Sequence, residues 1–144
     1  MTPRPTAAAS DPIAIARRCF EDIVCRGDMI AAEEILAPDV VFTTVSGEVL
    51  RGRRAFENFA MQMLEAFPDI RFEFTEEFTD GERVCARFVM RGTFLSTLMG
   101  LLPTGAEFTV AGIDTFRVVD GKVTEIHAMY DTLGQLQQLG VVKL

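Results

Sequence analysis

The chain predicts an α+β domain in which a strongly bent antiparallel sheet carries three helices on its concave face. Its apolar residues recur at helical spacing through most of the first half and then alternate with polar ones from Ile70 onward. Two Asp-Gly pairs, Asp80-Gly81 and Asp120-Gly121, each stand between alternating runs, the strongest short-range mark of a hairpin. Helices first and long strands last is the order of an α+β fold, and a bent sheet closed by helices makes a cone whose open end is a natural pocket.

The elements follow in order. "SDPIAIARRCFEDIVCRGD" reads as a first helix: Ser10 or Asp11 caps it, Pro12 suits its first turn, and Gly27 stops it. Ile13, Ala16, Phe20 and Ile23 or Val24 form its buried stripe. "DMIAAEEILAPD" is a short second helix ended by Pro38. "VVFTT" and "EVLRG" are short strands around Ser46-Gly47. "RRAFENFAMQMLEAF" is the third helix, with Phe56, Phe59, Met63 and Phe67 inward and Pro68 after it. "IRFEFTEEF", "ERVCARFVMRGTF", "AEFTVAGIDTFRVV" and "KVTEIHAMYD" are the long strands. Between the second and third of these, "LSTLMGLLPTG" is an apolar loop that reads as a lid or wall for a hydrophobic ligand, or as packing over a core edge. Residues 1–10, rich in Pro, Thr, Ala and Ser, read as a flexible tail, and 11–144 as one domain.

Composition narrows the function. A length of 144 residues, 49% apolar, supports one well-filled core. A net charge of -7 disfavours nucleic acid as a partner, because phosphate binding wants a basic face. No apolar run reaches membrane-spanning length, and the start lacks the apolar core of a signal peptide. Cys19, Cys25 and Cys85 are widely spaced and suit buried thiols in a reducing cytoplasm rather than a disulfide framework or a metal site. No metal is expected.

The only histidine and the only tyrosine fall within four residues of each other in "EIHAMYD". With Asp120-Gly121 as a two-residue turn, Val119 pairs with Lys122, and regular counting sets Asp114 opposite His127 and Val110 opposite Asp131. Phe116, Asp114, His127, Met129 and Asp131 then share one face, and Ile113, Ile126, Ala128 and Tyr130 the other. Aspartate and histidine are costly to bury unless paired or used. Asp114, His127 and Asp131 are therefore the candidate catalytic residues. A solvated sheet face would account for them equally simply, and Asp131 also suits a helix start, since Thr132-Leu133-Gly134-Gln135 reads as a capping box. A bulge would shift this pairing.

"GIDTFRVVDGKVTEIHAMYDTLGQLQQLG", preceded by "GLLPTG", resembles the SnoaL-like polyketide cyclases of the NTF2-like superfamily, and the likeness runs over nearly the whole chain. The family pattern usually has tryptophan after the histidine, where this chain has Ala128. The resemblance implies a cone-shaped pocket, acid–base chemistry by carboxylates without a cofactor, and a homodimer through the sheet. Asp114 also resembles the pocket aspartate of ketosteroid isomerases. The tyrosine and carboxylate that complete their site match Phe20 and Thr44, which disfavours that reaction and leaves both as wall residues. Asp131 could match the last aspartate of the superfamily's epoxide hydrolases, but no Arg-x-Asp stands on the strands that precede it. The family reading is an intramolecular aldol closure on a small hydrophobic carbonyl compound, held by Phe20, Thr44, Leu98, Leu101, Phe116 and Met129. A non-catalytic binding or dimerisation module is the alternative, because this fold hosts many functions.

Overall fold

The computed structural model describes residues 11–143; the predicted tail, residues 1–10, lies outside them, as does Leu144. Among the described residues, helix α1 (Pro12–Arg18) is capped by the Asp11 carboxylate, which accepts a hydrogen bond from the Ile13 N–H at 3.1 Å. It runs on into a π-helical stretch, Cys19–Val24, where the Cys25 N–H donates to the Phe20 carbonyl five residues back. The sequence gives no sign of this widening. It turns Cys19, Phe20, Ile23 and Val24 inward together. Helix α2 (Met29–Ile35) ends earlier than predicted, and strand β1 (Leu36–Thr43) takes in Pro38. Strand β2 (Val49–Arg51) and helix α3 (Arg53–Ala66) follow. Then come β3 (Arg71–Asp80), β4 (Arg83–Thr93), β5 (Glu107–Val119), β6 (Lys122–His127) and a short helix α4 (Thr132–Gln138).

The six strands form one curved, unclosed sheet in the order β2-β1-β6-β5-β4-β3. Its pairs are antiparallel except β1–β6, which is parallel. Parallel pairing needs a long crossover, and here everything between β1 and β6 supplies it, so local patterning could not announce it. Strands β4 and β5 alternate buried and exposed residues along their length. Val84, Ala86, Phe88 and Met90 of β4 join Phe108, Val110, Asp114, Phe116 and Val118 of β5 on the helix-covered face. The fold class is as predicted, an α+β domain with helices over one face of a bent sheet. No helix among the described residues is long and apolar enough to cross a membrane.

The last hairpin carries the main correction. Asp120 and Gly121 do form the turn, both with positive φ (51° and 78°), and Val119 pairs with Lys122. The ladder then slips. Val118 faces Val123 but Arg117 faces Glu125, so Thr124 is an extra residue in β6. Its hydroxyl donates to the Arg117 carbonyl at 3.4 Å. Beyond this bulge every β6 residue changes phase: His127 faces Thr115, not Asp114. Ile126 and Ala128 are buried, while His127 and Met129 point out. The reason is apolar burial. Val123 and Ile126 are three residues apart, and a regular strand cannot put both inside.

Candidate active site

Asp114 is the only carboxylate buried among the described residues, with 7% of its surface exposed. It sits mid-way along β5, where the alternation points it under the helices. Around it lies a cavity of about 50 Å³. The π-helical stretch contributes Cys19, Phe20 and Val24, α3 contributes Phe56, Phe59 and Met63, and the sheet supplies further rings together with Ala128 and Tyr130. Phe20 is the hub of the aromatic wall, its ring centroid lying 4.6 to 5.5 Å from those of Phe72, Phe74, Phe88 and Phe116.

One carboxylate oxygen of Asp114, Oδ1, accepts a hydrogen bond from the Met129 N–H at 3.2 Å. The other has no hydrogen-bond partner among the described residues and is not sealed off from the cavity. Burial pushes the Asp114 carboxyl up to about 7, with the Met129 N–H pulling weakly the other way. No cation stands beside it to offset the loss of water. The group is thus poised between acid and base near neutral pH. Burial also raises the thiol of Cys19, so that neighbour stays protonated, with the negative charge of Asp114 adding to the effect.

The remaining predicted residues divide. Phe20 and Phe116 line the cavity with Asp114. His127 does not: it is exposed on the opposite face of the sheet, in a groove of about 420 Å³ shared with Phe78, Cys85, Thr115 and Arg117. Met129 is 57% exposed and meets Asp114 only through its backbone N–H. Asp131 is exposed and caps α4, its Oδ1 accepting from the Gly134 N–H at 2.8 Å. The cap is thus one residue earlier than the predicted Thr132. Thr44 lies just past β1, its hydroxyl 3.0 Å from that of Ser46, outside the cavity wall. Leu98 and Leu101 pair with each other across the apolar loop through reciprocal backbone hydrogen bonds, and neither lines the cavity.

Sequence reasoning missed Tyr130 as a wall residue of this cavity. Gly112 makes room for it: a Cβ at that position would stand 2.6 Å from Tyr130 Cβ and 2.7 Å from Phe88 Cζ. The signal was the parity of β6, since Ile126, Ala128 and Tyr130 are in step with one another and out of step with Val123.

Known proteins share this architecture. The chain is 28% identical to IdmH of Streptomyces antibioticus, a candidate polyketide cyclase, covering 91% of this chain and 99% of that one with a TM-score of 0.78. A candidate SnoaL-like polyketide cyclase from Jannaschia sp. CCS1 superposes over 99% of both chains with a TM-score of 0.85 at 18% identity, a likeness of fold alone. The aklanonic acid methyl ester cyclase DnrD of Streptomyces peucetius is 33% identical over 92 residues, a stretch that spans 63% of this chain and 63% of that protein. The family model for SnoaL-like polyketide cyclase matches residues 14–139, from α1 through Asp114 and Tyr130 into α4. With that match reaching across the helices, the sheet and the cavity between them, the chain belongs to the SnoaL-like polyketide cyclase family.

Proposed function

We propose that the protein is a cofactor-free acid–base enzyme that closes a ring in a hydrophobic carbonyl compound by intramolecular aldol addition. The observation that carries this is the Asp114 carboxyl, raised to about 7 in an apolar cavity with one oxygen unbonded. The ionised carboxyl takes a proton from a carbon flanked by two carbonyls. The resulting enolate carbon attacks a ketone carbon of the same molecule, forming the new C–C bond and leaving an alkoxide. The protonated carboxyl then returns its proton to that alkoxide. The cycle is proton-neutral and one side chain suffices. Such C–H protons are already acidic, so a base of this strength is enough, and positioned proton transfer contributes about a hundred- to ten-thousandfold.

The wall of Phe and Met side chains supports this substrate class, as do the polyketide cyclase family and a relative named for its action on a methyl ester. At about 50 Å³ the cavity is far smaller than the roughly 300 Å³ or more of a typical ligand site. A polycyclic product therefore requires the α3 and π-helical walls to move apart. His127 and Asp131 do not belong to this proposal, because neither faces the cavity. The protein works as a cytoplasmic homodimer in this reading, joined through the open sheet face, where Phe78, Ile113 and Met129 are 56%, 44% and 57% exposed. Ile113→Asp should then turn a dimer into a monomer in sedimentation at micromolar concentration.

The test is turnover of aklanonic acid methyl ester and simpler 1,3-dicarbonyl ketones by the wild type and by Asp114→Asn. Loss of at least a hundredfold with thermal stability at pH 5 no lower than the wild type's supports the proposal. Equal turnover by the two proteins removes it and leaves the binding module.

A further inference from the structure

The cavity has a second polar group that the aldol cycle above does not use. Tyr130 supplies the only hydroxyl in its wall, among fifteen lining residues that are otherwise apolar apart from Asp114 and the Cys19 thiol. The hydroxyl has no hydrogen-bond partner among the described residues and keeps accessible surface. A half-buried tyrosine normally finds a partner for its O–H. Here the described residues supply none, beside a carboxyl whose proposed reaction generates a negatively charged oxygen.

The backbone around Tyr130 holds it firmly. It bridges to Gly112 of β5, the Ile113 N–H donates to the Met129 carbonyl at 2.8 Å, and the Asp131 N–H donates to the Ala111 carbonyl at 3.1 Å. On its C-terminal side the Thr132 N–H donates to the Tyr130 carbonyl at 2.8 Å, where α4 begins. The same short segment holds Asp114 through the Met129 N–H. The two polar groups are thus positioned by one piece of chain, and the bare Gly112 lets the ring approach β5.

We infer that Tyr130 is a catalytic residue of this site, donating its hydroxyl hydrogen bond to the enolate oxygen formed when Asp114 removes the proton. The charges favour this division of labour. Burial, and after it the negative charge of Asp114, push the phenol up to about 12, so it enters the reaction protonated. When Asp114 takes the substrate proton its charge vanishes, and with it that part of the restraint on the phenol. Tyr130 becomes a stronger donor in the same step that creates the oxyanion. A preorganised donor in a dry site stabilises such charge far more than in water.

The inference rests on the acid–base reading, but binding can test it without turnover. Asp114→Asn puts a neutral amide where the protonated carboxyl stands after proton removal. Titrate it with 4-nitrophenol, a planar enolate mimic whose ionised form is coloured, and with nitrobenzene as the neutral control. Asp114→Asn should bind 4-nitrophenol in its ionised form. Adding Tyr130→Phe should weaken that binding at least tenfold and leave nitrobenzene within about twofold. No binding of the ionised form, equal binding by the single and double variants, or equal loss of both probes would overturn the role of Tyr130. In turnover, Tyr130→Phe alone should lower kcat about tenfold or more with little change in KM. Full activity of Tyr130→Phe beside an inactive Asp114→Asn removes this inference and leaves the aldol reading intact; full activity of both removes the aldol reading itself.

Discussion

The helix-covered face of the sheet encloses about 50 Å³ among phenylalanine and methionine side chains, whereas its open face bears a groove of about 420 Å³. The groove is the richer in ionisable groups: Asp80, Arg83, Arg117, Glu125 and His127 all line it. Yet those groups lie on the open face, and the one ion pair among them, Arg117 with Glu125 at 3.1 Å, is of the exposed kind that contributes only about 0 to 1 kcal/mol. The small cavity holds a single carboxyl, and burial, with no cation among the described residues beside it, changes that group's chemistry. Desolvation, rather than volume or the number of charged residues, is what makes the inner face the candidate reactive side of this sheet.

The contrast is most exposed to test in turnover. Asp114→Asn on the inner face should cut it by a hundred- to ten-thousandfold, while His127→Ala on the outer face should leave it within about threefold; steady-state kinetics of the two variants side by side decide. A large loss at His127 would move the chemistry to the groove. The same carboxyl should show in folding. Its pKa rises from 3.8 to about 7 on folding, so between those values the folded state holds a proton that the unfolded state has lost. Stability therefore falls as pH rises through this window, by up to roughly 4 kcal/mol at about 1.4 kcal/mol per pH unit, and levels off above it. Urea unfolding of the wild type at pH 4 and pH 8 measures this fall, and Asp114→Asn should lack it. Because the base must be ionised, kcat/KM should climb in the opposite sense, rising through about pH 7 to a plateau.

Smaller effects sharpen the comparison. Gly112→Ala forces a methyl into Tyr130 and Phe88 and should cost about 1 to 3 kcal/mol, the range of overpacking in a filled core. Thr115→Ala, whose side chain faces the outer groove, should stay within about 0.5 kcal/mol. Asp131→Ala should cost about 1 kcal/mol through the lost cap of α4, and Asp131→Asn almost nothing, since asparagine caps as well. Both Asp131 variants should keep the pH profile of turnover unchanged.

Much of this was legible in the residues. The change from helical to alternating periodicity marked where helices gave way to long strands, and Asp120-Gly121 located the last turn to the residue. Asp114, Phe20 and Phe116 were placed in the pocket from pattern and resemblance together. The partner assigned to Asp114 was not His127, because counting outward from a turn assumes an unbroken ladder and Thr124 breaks it. The evidence for the break was present in the spacing of Val123 and Ile126, but a local turn signal outweighed it. The parallel β1–β6 pair and the π-helical stretch were illegible for different reasons. The first joins segments some eighty residues apart. The second depends on how Phe20 packs among four other rings. The apolar loop was read as a lid or wall of the pocket or as packing over a core edge, yet Met99 and Leu102 are 83% and 74% exposed. Hydrophobicity alone does not say which surface a loop will cover.

The extra residue in β6 also bears on how such a site changes over generations. The strand carries two alternative linings in one stretch of sequence: Ile126, Ala128 and Tyr130 on one parity, His127, Met129 and Asp131 on the other. Which set meets Asp114 is decided by the bulge, and the bulge is held by the need to bury both Val123 and Ile126, three residues apart. Removing Thr124 would straighten the ladder and keep the present lining, so that deletion should fold with stability within about 1 kcal/mol of the parent and full activity, an outcome few strands tolerate. Adding one residue there would do the same, because Val123 and Ile126 would then stand four apart and share a face of a regular strand. A lineage can thus shorten or lengthen this strand by one residue without exchanging the wall that meets Asp114.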